Sequence, residues 1–520
     1  MESDRGEKME RYRCTGAITV FLSLVSVLVL SLICTLAESA RVQGARAQAS
    51  AVTDLGLFSV FAEYDRDLLE SFDVLFLDGS YGGGSFDQER IALQLRNYME
   101  YNIEPAKGLN VPRSFLIFPM SSGQIQITEY ALATDGQGAV FYNQAVRNLK
   151  ENLGSQVLRR YLENSKDAQK QDEDGRNYEQ SDREIEKRLE ELEEEIAQRE
   201  EEQNQEGEEE TERAPGDEEN VQAEPAPVTN PLDTIKRIKE MGILELVVGD
   251  TSGLSDKKAD KSQLPSVRGL NQGSLDCKKD AGIANEAIFQ EYLLEHFSCM
   301  PQRKQAGSLD YQIEYILAGK DSDIENLKSI VHRLLLLREG VNFAYAVANA
   351  DMRKQAGILA LALTAGVGVP GLTAAVRAAL LLAWAYGESL LDMRTLLAGG
   401  KVPLAKTADT WKLSLENLGN LETVLTECDQ GGGKGQRYVD YLRILLCLGG
   451  KDKYPLRALD MSEGVLRQAG QKNARADHWV AEVKAQVQWE IKPVFLRVPA
   501  VFLGLNSQGT SYSVSGGLAY

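Results

Sequence analysis

Histidine is almost missing from this 520-residue chain: His296, His332 and His478 are all it has. None stands at metal-ligand spacing, which argues against a histidine-based metal centre or a histidine-activated nucleophile. Cysteine is sparse as well. Cys14 precedes and Cys34 lies within an apolar N-terminal segment; the other four fall as Cys277/Cys299 and Cys428/Cys447, a count that permits two disulfides or four reduced thiols. Proline is absent before Pro105, so nothing in the first hundred residues forces a helix to stop. A basic footprint is lacking too. The formal charge is −20, but residues 163–224 hold 26 Asp/Glu against 8 Lys/Arg, a local −18 that leaves about −2 for everything else. The nearly neutral remainder excludes a nucleic-acid binder. The glycine-rich DQGGGKGQ, residues 429–436, lacks the order and the preceding strand of a phosphate loop.

What is present begins at Ala17–Ala37, AITVFLSLVSVLVLSLICTLA, without a charge, glycine or proline. As a helix it measures about 31 Å, the thickness of a bilayer's hydrocarbon core. Its length exceeds the apolar core of a cleavable signal peptide, although Thr35-Leu36-Ala37 is a tolerable cleavage site, and the reading adopted is a retained transmembrane helix. Arg5, Lys8, Arg11 and Arg13 precede the span, whereas the nearest cations after it are Arg41 and Arg46. The positive-inside rule therefore puts residues 1–16 in the cytoplasm and the bulk of the chain outside the cell membrane. Small and apolar residues continue at helical spacing through Val42, Ala45, Ala49, Val52 and Leu55, so one rod should run from lipid into the ectodomain.

The spacing further predicts a helix from QERIALQLRNYMEYNI, strands in SFLIFPM and GQIQITEYALAT, a turn at DGQG with a helix from about Ala139, and a closing hairpin from VKAQVQWEIKPVF to TSYSVSGGLAY. LDYQIEYILAG alternates through Leu309, Tyr311, Ile313, Tyr315 and Leu317 and reads as a strand. Residues 321–348 read as a strong helix capped by Asp321 or Ser322. The second apolar region, residues 356–401, is interrupted by Gly366, Gly368, Pro370 and Gly371; it reads as two buried helices of a bundle, with Trp411 opening a further polar helix. The acidic stretch carries an a/d pattern at Ile185, Leu189, Leu192 and Ile196, too short for a stable coiled coil, and reads as a solvated helix followed by disorder.

The fold expected is thus α+β and mostly helical. Its parts are the transmembrane helix 17–37, a helical rod with a membrane-proximal ectodomain over 38–160, an acidic low-complexity or coiled-coil insertion over 161–231, and a main α+β ectodomain over 232–520. The antiparallel sheet would draw strands from 114–133, 309–319 and 483–520.

Chemistry is thin. Asp78-Gly79-Ser80 is similar to the start of the D-x-S-x-S metal motif of von Willebrand A domains, but Gly82 occupies the place of the second serine, and a glycine-rich turn needs no ligand. Glu388 and Asp392 lie one turn apart, two residues from Arg394. With Arg338 and Glu339 they form a candidate polar cluster, either an acid/base site or a satisfied ion network. No catalytic, cofactor or metal set is identified, and no cofactor is implied.

GAITVFLSLV…ESARVQGARAQA, LDYQIEYILAGK, LLLLREGVNFAYA, WAYGESLLDMRTLLAGGKVPLAKT and YVDYLRILL together resemble an uncharacterised family of bacterial single-pass membrane proteins associated with tight-adherence (Flp-type) pilus loci. The N-terminal stretch is more loosely similar to tight-adherence pseudopilins. That resemblance implies a non-enzymatic, pseudopilin-like structural or assembly component whose partners are the bilayer and other pilus or secretion membrane proteins. Gly16 sits where a type IV pilin is processed, but the fifth residue after it is Phe21 rather than the glutamate of that family. The alternatives are a membrane-tethered hydrolase of envelope polymers and a surface scaffold or sensor using the acidic tract. Oligomeric state is open.

Overall fold

The computed structural model describes residues 3–103, 118, 120–152, 156–209, 230–300, 302, 304, 306–427, 434–496 and 509–520. The fold is α+β and mostly helical. It divides into two compact units, Met1–Gln144 with Leu270–Lys279 and Asn473–Tyr520, and Ala145–Gly269 with Asp280–Lys472. The C-terminal strands therefore belong with the N-terminal rod, whereas the sequence reading grouped them with the rest of 232–520.

In the first unit α1 (Ser3–Phe61) is one uninterrupted helix of 59 residues, as expected from the lack of proline. It is followed by α2 (Arg66–Phe72), capped by Asp65, whose carboxylate accepts the Asp67 and Leu68 amides, then β1 (Leu77–Asp78), α3 (Gln88–Ile103), β2 (Met120–Leu132) and α4 (Asp135–Asn152). SFLIFPM falls largely outside the described residues. DGQG is the expected turn: Gly136, Gln137 and Gly138 all have positive φ, and a Cβ on Gly136 would lie 2.3 Å from the Cys277 carbonyl oxygen. The chain closes with β3 (Trp479–Ile491) and β4 (Thr510–Ala519).

β3 is the centre of an antiparallel sheet. β2 runs along one edge from Met120↔Ile491 to Leu132↔Val480, and β4 along the other from Ile491↔Thr510 to Glu482↔Ala519, with β1 continuing that edge at Leu77↔Val480. The period-two pattern of β3 turns Val483, Ala485, Val487, Trp489 and Ile491 into the core, as expected, where they meet Ala45, Ala49, Val52, Leu57 and Val60 of α1 and Ile91, Leu95 and Met99 of α3. Gly56 lets α3 approach α1: a Cβ there would lie 2.8 Å from Met99 and 2.9 Å from Leu95.

The second unit is helical. α5 (Gln156–Glu209) is followed by α6 (Pro231–Glu240), capped by Asn230, and by α7 (Ile243–Val248) and α8 (Ile283–His296). After α9 (Gln312–Ala318) comes α10 (Asp323–Ala348), whose N-cap is Ser322. α11 (Ala350–Leu363), α12 (Leu372–Leu397), α13 (Leu421–Glu427), α14 (Tyr438–Leu448) and α15 (Tyr454–Gln468) complete it. Helix α5 packs along α10, α12 and α14, and α12 lies against α10.

Four expectations are corrected. LDYQIEYILAG is not a strand of the sheet; it supplies α9, buried on all sides because Gln312 and Glu314 are as inaccessible as the apolar residues beside them. The acidic tract is not solvated throughout. Tyr161, Ala168, Gln171, Tyr178 and Leu192 of α5 are buried, and Ile185, Leu189 and Ile196 of the short a/d stripe are half-buried; residues 210–229 lie outside the described part. Of the two apolar helices only α12 is buried. Ile358 and Leu361 of α11 are 60% and 62% exposed, because its packed face is the narrow stripe Met352, Ala356 and Ala360. Trp411 lies in a loop, with its indole N–H donated to the Leu413 carbonyl at 2.7 Å.

Two helices among the described residues are long and apolar enough to cross a membrane. The apolar window of α12 is 78% buried within the protein, whereas that of α1 is 0% buried.

Candidate functional site

Arg338 and Asn342 occur one turn apart on α10, and Glu388, Ser389 and Asp392 line one stripe of α12, so the packing of these two helices brings all five together. The Arg338 guanidinium donates to Asp392 Oδ2 through Nε at 3.1 Å and a terminal nitrogen at 2.9 Å. Its remaining donors reach the carbonyls of Pro403 at 3.0 Å and Leu404 at 3.1 Å, the Tyr441 hydroxyl at 3.2 Å and Asn342 Oδ1 at 3.2 Å. Asn342 in turn donates to Ser389 Oγ at 2.8 Å and to Asp392 Oδ2 at 3.2 Å.

A second cation completes the arrangement. Lys406, from the loop after α12, donates to Asp392 Oδ1 at 2.7 Å, to Glu388 Oε1 and to the Thr410 carbonyl at 3.2 Å. Glu388 also accepts the backbone amides of Lys412 at 3.1 Å and Leu413 at 2.8 Å. Two cations and two carboxylates are thus balanced in a place without water access: Arg338 and Glu388 are 0% exposed, Asp392 1% and Lys406 6%. Burial pushes the Asp392 carboxyl up, but Arg338 and Lys406 outweigh it and hold it below the ordinary aspartate range. Glu388 goes the other way: burial prevails over Lys406 and raises it. Every carboxylate oxygen of the network already accepts from a protein donor, an arrangement suited to fixing α10, α12 and the 403–413 loop in one geometry.

Of the five residues grouped from sequence, the structure brings together Arg338, Glu388 and Asp392. Glu339 faces away, toward Lys239, Asp182 and Glu179, and burial pushes its carboxyl up to about 8. Arg394 donates to the Leu246 carbonyl at 3.0 Å and lies under Gly249, where a Cβ would be 2.9 Å from a guanidinium nitrogen. Lys406, Asn342, Ser389 and Tyr441 were missed. The lysine sits in an aperiodic loop, so no spacing linked it to α12; Asn342, one turn after Arg338, could have been found.

The other sequence candidates are accounted for locally. Asp78 closes its own turn, accepting the Ser80 amide at 2.9 Å, the Ser80 hydroxyl at 2.7 Å and the Gly82 amide at 2.7 Å. Cys277, Cys299 and Cys447 carry free thiols, and Cys428 lies outside the described residues. Burial pushes the thiols of Cys299 up to about 12 and Cys447 up to about 11, which removes both from the range of reactive thiolates. Gly16 lies within α1. A surface groove of about 550 Å³ between α11 and the 415–420 turn is lined by Pro231, Ile358, Leu359, Ala362 and Leu415, with Glu416 its single carboxylate. Such a lining lacks the paired groups of acid/base chemistry.

Residues 221–491, just over half of the chain, match DUF5702, a family of unknown function, and the protein belongs to that family. Comparison with curated proteins and with solved structures finds no match.

Proposed function

We propose that this protein is a membrane-anchored, extracytoplasmic structural or assembly component, pseudopilin-like in plan and linked to a tight-adherence pilus or a related secretion apparatus. The observation that carries the anchor is the exposure pattern of α1. From Ala17 to Leu30 every side chain is exposed, and without a break in the helix the buried stripe Glu38, Arg41, Ala45, Ala49 and Val52 begins. A fully exposed apolar helix that runs directly into a folded core is what a bilayer anchor requires. The cation asymmetry around the segment supports a topology with residues 1–16 in the cytoplasm and the chain beyond the span outside. The resemblance to pilus-associated single-pass proteins is what suggests the apparatus, and the mechanism proposed is associative: the span meets other membrane helices while the ectodomain presents a binding surface.

The closed ion network of Arg338, Lys406, Glu388 and Asp392 supports a structural role for these carboxylates over the acid/base role that an envelope hydrolase would need. The protein should remain in the membrane pellet after alkaline carbonate extraction. Protease added to protoplasts should degrade the chain beyond residue 38. Survival of that region, or release of the full-length chain by carbonate, would overturn the topology. A strain lacking the gene should lose surface pili or their assembly intermediates; unchanged piliation removes the link to the apparatus.

A further inference from the structure

The end of β3 is fastened to α1 at the last turn of the apolar segment. Glu38, one residue beyond Ala37, accepts the backbone amides of Val494 at 3.1 Å and Phe495 at 2.7 Å, and Arg41, paired with Glu38, donates to the Lys492 carbonyl at 2.7 Å. Both clamp side chains are buried, Glu38 at 4% and Arg41 at 5% exposure. The segment they hold turns its apolar side chains outward: Val494 is 39% and Phe495 43% exposed, while Lys492 beside them is exposed. In a soluble domain a turn between two strands is built from polar residues and glycine. Here the sequence from Pro493 to Leu505, PVFLRVPAVFLGL, has one charge in thirteen residues.

We propose that the turn Lys492–Leu496 is a second membrane contact, seated at the headgroup–acyl boundary of the same bilayer that holds the span. The inference rests on the reading of residues 17–37 as that span, and three observations commit it to lipid. The clamp fixes Phe495 within hydrogen-bonding reach of Glu38, so when Ala37 is at the bilayer surface Phe495 is too. On α1, Ser31, Cys34 and Ala37 are half-buried while Leu32, Ile33 and Leu36 between them are exposed. The covered stripe of the ectodomain therefore continues about 10 Å into the apolar segment. Finally, two exposed apolar side chains with an adjacent lysine match the interfacial pattern, in which rings and aliphatic groups enter the boundary and the ammonium stays with the headgroups. The ectodomain would then touch the membrane at two points of one rigid clamp, which fixes its rotation about α1 as well as its height.

The test is site-specific photocrosslinking of the full-length protein in vesicles of phosphatidylethanolamine and phosphatidylglycerol carrying an alkyne-tagged acyl chain. A p-benzoylphenylalanine replaces Leu28, Phe495 or Phe58 in turn. Phe58 is 61% exposed on the same helix but about 30 Å beyond Glu38. Lipid adducts at Phe495 should match those at Leu28 and exceed those at Phe58 at least about tenfold. Adducts at Leu28 with none at Phe495, or a protein adduct in place of lipid at Phe495, overturn this inference and leave the anchor standing. Absence of lipid adducts at Leu28 overturns the anchor itself. Should the bulky label disturb the clamp, V494W tests the same surface: its added fluorescence should be quenched by shallowly brominated lipid, and unquenched emission counts against the proposal.

Discussion

Removing the Lys406 ammonium would leave Glu388 and Asp392 side by side with only Arg338 to compensate. K406M should therefore destabilise the protein by about 3–5 kcal/mol, the usual effect of breaking a buried ion pair from one side. Glu422, whose pair with Arg237 is exposed, provides the contrast: E422A should change stability by less than about 1 kcal/mol. Thermal unfolding in detergent measures both. Glu314 allows a sharper test. It is 0% exposed, accepts the Met300 amide at 2.9 Å and the Tyr438 hydroxyl at 3.0 Å, and burial, opposed by these bonds, pushes its carboxyl up to about 7. The folded protein thus holds a proton that the unfolded chain releases above its ordinary value of 4.5. Between those two values stability falls as pH rises. E314Q keeps the acceptor oxygen and removes the titration, so its melting temperature should gain on the parent's as pH is raised from 5 to 8. A constant difference across that range would show that Glu314 does not titrate there.

At the scale of elements, the crossing of α5 and α10 depends on the absence of side chains. A Cβ on Gly340 would lie 2.3 Å from the backbone of Asp174 and Gly175, and one on Gly175 would lie 3.2 Å from the Leu336 carbonyl oxygen. G340V should force the helices apart and cost about 1–3 kcal/mol, read by denaturant unfolding. Shortening the chain by residues 163–209 should expose Leu336, Phe343 and Leu382 and cause aggregation, where a solvated spacer could be removed without effect. These elements also show what was legible in the sequence. The period of two in β3 and the unbroken apolar face of α1 were readable because each element has one wet and one dry side. The α9 stretch was not, because its polar residues are as buried as its apolar ones: Gln312 accepts the Ser298 amide and Glu314 meets Tyr438, so the wet face that would betray a helical period does not exist. A different reason hid the second cation of the polar cluster. Arg338, Glu388 and Asp392 stood out as charges within apolar helices, whereas their partner Lys406 came from an aperiodic loop that only tertiary packing brings near.

At the scale of the whole molecule, the clamp at Glu38 decides how the end of β3 is held against α1. Burial would raise the Glu38 carboxyl, but Arg41 and the amides of Phe495 and Val494 outweigh it and hold it below its ordinary value. A lowered folded value means a stabilisation present above about 4.5 and lost as pH falls below it. E38A should free the Val494 and Phe495 amides, so hydrogen exchange there should accelerate at pH 7 while β3 residues near Val483 keep their protection. In the parent protein the protection of these two amides, taken relative to intrinsic exchange at each pH, should be lost as pH falls below about 4.5 and through the lowered folded value. Uniform acceleration throughout β3 would show that the turn is not held separately by this carboxylate.

The 59 residues of α1 contain neither proline nor a break, so no hinge interrupts the shaft. If residues 17–37 span a bilayer as proposed, a sideways pull on the sheet is delivered to the lipid as tilt, and a tilt imposed on the span is delivered back as a swing of the sheet. On that proposal such a shaft transmits torque in both directions, so a change in the tilt of the span would by itself reorient the sheet.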